Sequence, residues 1–82
     1  MNTLEMKQIV AEAMAQIAPE ADLNSVPGGA NLRETLDIDS FDFLNLLIEL
    51  GKRLKIEIPE ADYGRLGTLD SLAVYLAERA QT

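Results

Sequence analysis

The chain contains no cysteine and no histidine, and these two absences exclude the most common site chemistries. Without cysteine it cannot form a disulfide framework, and without either residue it lacks the ligands of ordinary zinc sites. Without histidine, a serine has no conventional base to activate it as a nucleophile. The sequence therefore predicts a protein with almost no catalytic chemistry of its own, and we expect it not to be an enzyme.

A calcium loop is also excluded, although Asp37-x-Asp39 begins like the loop of an EF-hand. That loop needs an oxygen ligand at its fifth position, glycine at its sixth and glutamate at its twelfth. Those positions hold Phe41, Asp42 and Ile48. We therefore expect no metal site.

Basic residues are scarce: seven lysines and arginines stand against fourteen acids, which gives a net charge of −7. Such a chain repels phosphates, so we expect no nucleic-acid partner. The same charge favours basic protein partners through electrostatic steering, although simple solubility would explain it equally well.

Long apolar runs are absent as well. No stretch approaches the length of a membrane span, and residues 1–7 lack the basic start and continuous apolar run of a signal peptide. The lack of cysteine fits a reducing compartment. We therefore expect a cytoplasmic protein that has no membrane partner.

The length of the chain suffices for one small domain with a thin core, so we expect residues 1–82 to form a single monomeric domain. Apolar residues at helical spacing predict a first helix over roughly residues 3–18. Asn2 or Thr3 can cap this helix, and Pro19 disfavours helical backbone at the residue before it.

A long loop is predicted over residues 19–38, because they show no sustained period. Loops of this length are commonly functional or disordered. Four apolar residues are spaced so that they can pin the loop onto the core: Leu23, Val26, Leu32 and Leu36.

The second helix is predicted over residues 40–54, with Asp39 or Ser40 as its N-cap. The alternation over residues 52–58 is typical of a strand, but no second run exists to pair with it. A connector that places its two isoleucines in the core is therefore favoured.

Two further helices complete the pattern. A short third helix is predicted after Pro59, and Thr68 is the predicted cap of a final helix. The sequence thus predicts an all-α fold, a small antiparallel bundle of three main helices plus one short helix, with a long loop between helices 1 and 2.

The second helix carries two apolar stripes on nearly opposite sides. Residues at helical spacing place one stripe toward the core: Phe43, Leu47, Leu50 and Leu54. Leu46 falls between the stripes. The other stripe is either covered by Leu32 and Leu36 of the loop or left open as a docking patch. A docking patch would comprise Phe41, Leu44 and Ile48 with Asp42 and Glu49 as solvent-exposed acids at its edge.

Ser40 follows the long loop and opens this apolar helix. A helix N-terminus stabilises a phosphate ester through its free N–H groups and its dipole. Since the chain cannot activate the serine, an external enzyme would have to modify it. From position alone, a serine that only caps the helix is equally plausible.

The residues around Ser40 resemble those of acyl carrier proteins and the related peptidyl carrier domains. The triplet Asp39-Ser40-Phe41 is similar to the attachment motif of that family, and the similarity covers nearly the whole chain. Three longer segments share it: residues 36–42 before and around the serine, residues 55–59 as the linker into the third helix, and residues 67–73 as the entry to the last helix.

The resemblance implies that Ser40 carries a 4′-phosphopantetheine arm and that Asp39 belongs to the flanking motif. It implies that a Mg²⁺-dependent phosphopantetheinyl transferase attaches the arm from coenzyme A. The terminal thiol would then carry acyl intermediates as thioesters to acyl-loading and acyl-processing enzymes. Aliphatic intermediates are expected to insert partly between the helices, because a thin core opens at low cost.

Asp70-Ser71-Leu72 has the same form as the attachment triplet. Ser71 is excluded by position, because Thr68 already caps that helix and no long loop or double stripe accompanies it.

Phe41 replaces the Leu or Met that is commoner in the family, and the end of the second helix is basic. Both fatty-acid and secondary-metabolite synthesis therefore stay open as the pathway. The alternative from another class is an unmodified helical adaptor that binds a protein through its second helix.

Overall fold

The computed structural model describes residues 2–22 and 26–80, and these residues form a bundle of helices. The bundle has three long helices and two short ones: α1 (Thr3–Ile17), α2 (Leu32–Leu36), α3 (Ser40–Leu54), a 3₁₀ helix (Glu60–Arg65) and α4 (Leu69–Arg79). α1 packs against both α3 and α4. The described residues contain no strand, only an isolated antiparallel bridge between Asn31 and Thr68. The predicted all-α bundle is confirmed, with one short helix more than expected.

α1 begins and ends close to its predicted limits. Asn2 is the N-cap, and its Oδ1 accepts a hydrogen bond of 2.8 Å from the Glu5 backbone N–H. The helix buries one stripe of apolar residues: Met6, Val10, Ala13 and Met14. Leu4 belongs to the same sequence pattern but is 65% exposed, because it lies in the first turn, beyond the core.

The segment predicted as a loop, residues 19–38, contains the short helix α2. The prediction is therefore wrong for residues 32–36. Asn31 caps α2 by accepting the Glu34 backbone N–H at 3.0 Å. Asp37 ends it in the left-handed conformation, with φ of 55°. Five residues are too short to show a helical period, but Asn31-x-x-Glu34 is a recognisable N-terminal signal.

The rest of the loop is fastened to the core and to α4. Val26 and Leu32 are buried and Leu36 is half-buried, whereas Leu23 lies outside the described residues. The Gly28 carbonyl accepts the Asp70 backbone N–H at 3.0 Å. The Asp70 carboxylate forms an ion pair with Lys7 at 2.8 Å and occupies the space that a Cβ at Gly28 would need. Glycine at position 28 therefore permits this close approach.

α3 spans the predicted residues and buries Phe43, Leu46, Leu47 and Leu50. Leu46, which the sequence places between the two stripes, is fully buried because the core reaches further around the helix than the first stripe. The helix ends where Lys55 adopts the left-handed conformation, with φ of 56°. The connector after it is not a strand, as expected.

The 3₁₀ helix is held to α4 by a cluster around Tyr75. The Tyr75 hydroxyl donates a hydrogen bond of 2.7 Å to Asp62, whose carboxylate also pairs with Arg79 at 3.1 Å. The guanidinium groups of Arg79 and Arg65 lie 4.8 and 5.8 Å from the centre of the Tyr75 ring. The 3₁₀ helix buries no residue completely, so these polar contacts add to the packing of its half-buried Tyr63 against the core.

Tyr75→Phe should therefore destabilise the fold by about 1 kcal/mol, the typical net value of one hydrogen bond. Burial, and next the hydrogen bond to Asp62, raise the pKa of Tyr75 above its usual value of 10.0. The protonated hydroxyl thus contributes stability that is complete below pH 10 and is lost as the pH rises through the folded-state pKa. Urea unfolding at several pH values should show a steeper loss above pH 10 in the native chain than in Tyr75→Phe. Identical pH profiles would contradict this assignment, since lysine titration is common to both proteins.

Candidate functional site

Ser40 is the first residue of α3, and its side chain is exposed. The N-cap is Asp39, whose Oδ1 accepts the Asp42 backbone N–H at 2.9 Å. Of the two caps that the sequence left open, the structure selects Asp39. The Ser40 hydroxyl is therefore not needed to start the helix.

Arg33 of α2 lies beside Ser40, and its Nη2 donates a hydrogen bond to Ser40 Oγ. Sequence reasoning missed this residue. The stretch from Glu34 to Glu49 contains five acids and no base, and Arg33 stands one position outside it. Folding of α2 and the left-handed turn at Asp37 bring the guanidinium back to the serine. The capping signal at Asn31 would have predicted the helix, but not the direction of its side chains.

Ser71 has a different environment, although its triplet resembles that of Ser40. Thr68 and Ser71 form a capping box in which each side chain accepts the backbone N–H of the other residue. Thr68 Oγ1 donates to Ser71 Oγ at 2.8 Å, and Ser71 Oγ donates to the Thr68 carbonyl at 3.1 Å. The Ser71 hydroxyl is half-buried and engaged within the protein, whereas that of Ser40 is exposed.

The second apolar stripe of α3 is open along part of its length. Phe41 is 69% exposed and Ile48 is 45% exposed, while Leu44 between them is half-buried. We call these three residues the α3 patch. Leu32 does not cover it, because that side chain lies in the core. The alternative of a fully covered stripe is wrong.

The acids at the edge of the α3 patch are less exposed than expected. Glu49 was expected to be solvent-exposed, but its side chain is only 31% exposed and forms an ion pair with Arg53 at 2.9 Å. Arg53 also lies 3.7 Å from Glu12 of α1. Asp42 is half-buried, two residues after Ser40. Glu49 is thus engaged on the α1 side of α3.

A cleft of about 330 Å³ opens beside Ser40, between the start of α3 and the 3₁₀ helix. We call it the Ser40 cleft; its lining residues are Arg33, Ser40, Phe43, Leu44, Glu60, Tyr63 and Gly64. A larger cavity of about 550 Å³ next to α1 shares none of these lining residues.

Within the described ranges, no three His, Cys, Asp or Glu side chains are grouped so that they could hold a metal ion. In the same ranges, no helix is long and apolar enough to cross a membrane.

Comparison with known sequences identifies the family. The sequence model described as the phosphopantetheine attachment site matches residues 6–76, which include Ser40, all of α2 and α3, and most of α1 and α4. The chain belongs to this family. It is 30% identical to an acyl carrier protein of Brachyspira hyodysenteriae over 74 residues, which cover 90% of each chain. It is 32% identical to an acyl carrier protein of Rubrobacter xylanophilus over 57 residues, 70% of each chain.

A solved structure has the same fold. The acyl carrier protein of Enterococcus faecalis matches with a TM-score of 0.76 and 22% sequence identity, covering 96% of this chain and 99% of that one. The resemblance drawn from the residues around Ser40 is confirmed at the level of the family. Acyl carrier proteins are carriers and not enzymes, which agrees with the scarcity of catalytic residues in this chain.

Proposed function

We propose that the protein is an acyl carrier whose Ser40 Oγ bears a 4′-phosphopantetheine arm. The observation that carries the proposal is the contrast between two serines in similar triplets. Ser40 presents an exposed hydroxyl at the first residue of α3, while the Ser71 hydroxyl is engaged in a capping box. The proposal treats residues 1–82 as one carrier domain, monomeric and cytoplasmic.

The attachment step needs a partner enzyme. Ser40 Oγ would attack the phosphorus of coenzyme A that bears the pantetheine, forming a phosphodiester and releasing 3′,5′-ADP. The serine proton would pass to a base of the phosphopantetheinyl transferase, because no histidine of this chain can accept it. The arm ends in a thiol, which provides the nucleophile that a cysteine-free chain lacks. Acyl groups would be carried on it as thioesters.

The contribution of the chain itself is to present the thioester to a partner enzyme. A tethered thioester reaches a docked enzyme at high effective concentration, so the carrier acts by positioning rather than by chemistry. The Ser40 cleft has apolar lining from Phe43, Leu44 and Tyr63, which suits the first part of an aliphatic chain. Fatty-acid synthesis is the typical role of such carriers, and synthesis of a secondary metabolite would use the same features.

The α3 patch is the proposed docking surface for the transferase and for acyl-loading and acyl-processing enzymes. Exposed Phe41 and Ile48 supply apolar contact on the same helix as the attachment point. Asp39 and Asp42 lie at the start of this helix and favour a basic partner surface. Glu49 is proposed to contribute less to docking, because its carboxylate is paired with Arg53 on the α1 side of α3.

Incubation with coenzyme A and a transferase of broad specificity tests the proposal. The intact mass should increase by one 4′-phosphopantetheine per chain, and by no more than one. An unchanged mass would favour the alternative, an adaptor that binds a partner through the α3 patch and is never modified. A transferase-treated carrier of known activity in the same reaction shows that the enzyme is active.

Association with a basic partner should depend on Asp42 more than on Glu49. The helix rises 1.5 Å per residue, so Asp42 lies about 3 Å and Glu49 about 13 Å along the axis from Ser40. Two unit charges about 10 Å apart in water, one on the carrier and one on the partner, interact by ~0.4 kcal/mol. Loss of this energy changes the association rate about twofold. Asp42→Asn should therefore slow attachment about twofold at low salt.

Glu49→Gln is the matched control, because it changes the net charge by the same amount. The difference between the variants should shrink as salt rises, since screening acts within about 10 Å at 0.1 M. Attachment rates measured across a salt series would contradict the assignment if both variants were equally slow, or if the slowing persisted at high salt.

A further inference from the structure

Arg33 is the basic residue whose guanidinium contacts the proposed attachment atom, Ser40 Oγ. Other arginines have different partners: Arg53 and Arg79 pair with carboxylates, and Arg65 lies over the Tyr75 ring. Within residues 2–22 and 26–80, no carboxylate forms an ion pair with Arg33. Its charge is therefore available to an anion that forms at Ser40.

The helix α2, which carries Arg33, is fixed at several points although it has only five residues. Leu32 is fully buried, and its backbone N–H donates to the Gly67 carbonyl at 2.8 Å. Asn31 caps the helix and forms the bridge to Thr68, which joins α2 to the start of α4. At the other end, the Ile38 backbone N–H donates to the Arg33 carbonyl at 3.1 Å. These contacts hold the backbone of Arg33 in place next to α3.

The acidic residues around Ser40 make a positive charge next to it favourable. Glu34, Asp37, Asp39 and Asp42 are all close in sequence to Ser40, and together they disfavour a further negative charge. A phosphodiester on Ser40 would add such a charge. A guanidinium offsets it best, because it is always protonated and presents five N–H donors that match phosphate oxygens in pairs.

We propose that Arg33 binds the phosphodiester formed on Ser40 Oγ and holds the arm on the α2 side of α3. The proposal rests on the proposed function, and it assigns a role that lies outside the attachment triplet. A donor in contact with Oγ needs only a small side-chain movement to reach a phosphate oxygen, which is two bonds from Oγ through the phosphorus. Arg33 and Ser40 both line the Ser40 cleft, so a phosphodiester bound in this way directs the arm toward the cleft and away from Phe41.

The kinetic test compares Arg33→Gln with the native chain in the transferase reaction. Negative charge develops at the reacting phosphoryl group during transfer, so loss of the guanidinium should act on kcat, by about fivefold, with KM nearly unchanged. Arg33→Lys should restore part of the rate, since it keeps the charge but not the paired donors. Lys55→Gln is the matched control, because it removes one exposed positive charge at the far end of α3.

The second readout is the NMR signal of the Arg33 guanidinium N–H groups before and after modification. A new bond to phosphate should shift these signals downfield in the native chain, and the ³¹P signal of the arm should show faster motion in Arg33→Gln than in Arg33→Lys. Guanidinium signals unchanged by modification would overturn the proposal. So would an effect on KM alone, which would make Arg33 a docking residue.

The two proposals fail in different ways. If the native chain gains no mass, the proposed function fails and the role of Arg33 fails with it. If the native chain is modified at Ser40 and Arg33→Gln matches Lys55→Gln both in kcat and in the ³¹P signal of the arm, the carrier function stands and only the role of Arg33 is overturned.

Discussion

Ser40→Ala should abolish attachment of phosphopantetheine and leave the stability of the fold nearly unchanged. The hydroxyl is the only group that the substitution removes, and Ser40 is exposed at the first position of α3. The cap of that helix is Asp39, so the variant keeps the hydrogen bond that starts the helix. Intact mass after the transferase reaction measures attachment, and urea unfolding measures stability.

Two control variants separate attachment from capping. Asp39→Ala should cost about 1 kcal/mol through loss of the cap while keeping the Ser40 hydroxyl. Ser71→Ala should also lower stability, because it breaks the capping box of α4, but it should be modified at Ser40 as fully as the native chain. Attachment retained by Ser40→Ala, or lost in Ser71→Ala that is still folded, would contradict the assignment.

Leu47→Ala should destabilise the protein by roughly 2–5 kcal/mol, because the removed methyl groups leave a cavity in a thin core. Leu47 is 1% exposed and lies in the core cluster between α3 and its neighbours. In a domain of this size, a loss at the lower end of that range already lowers Tm by roughly 8–16 °C. Thermal and urea unfolding measure the loss.

The adjacent residue provides the matched comparison. Ile48 is 45% exposed, so Ile48→Ala should cost clearly less than Leu47→Ala while it weakens docking of the transferase at the α3 patch. Equal destabilisation by the two substitutions would show that α3 does not divide into a core face and a docking face.

The long periodic parts of the fold were predictable from the sequence. α3 begins and ends at the predicted residues, since seven of the ten residues from Phe41 to Leu50 are strongly apolar and the helix follows a clear cap. Thr68 caps α4 as expected, because a good N-cap residue precedes a helical apolar pattern. The division of α3 into two faces also follows from periodicity alone, which fixes relative directions within one helix.

The contacts between elements were less predictable. α2 is too short to show a period, and so the prediction missed both the helix and the position of Arg33 next to Ser40. The burial of Leu46, which periodicity places between the two stripes, was not predictable, since burial depends on which neighbour covers each side of α3. Periodicity does not say how far α1 reaches around that helix. The ion pair of Glu49 with Arg53 joins residues four positions apart on α3, so their spacing could have predicted it.

The central claim is that Ser40 carries the arm, and site mapping after trypsin digestion tests it most directly. The chain has three serines, and cleavage after lysine and arginine places them on three separate peptides, residues 8–33, 34–52 and 66–79. After reaction of the native chain with coenzyme A and transferase, fragment masses should place one phosphopantetheine on residues 34–52, at Ser40. A phosphopantetheine on residues 66–79 or 8–33, or on Thr35 of the middle peptide, would contradict the account.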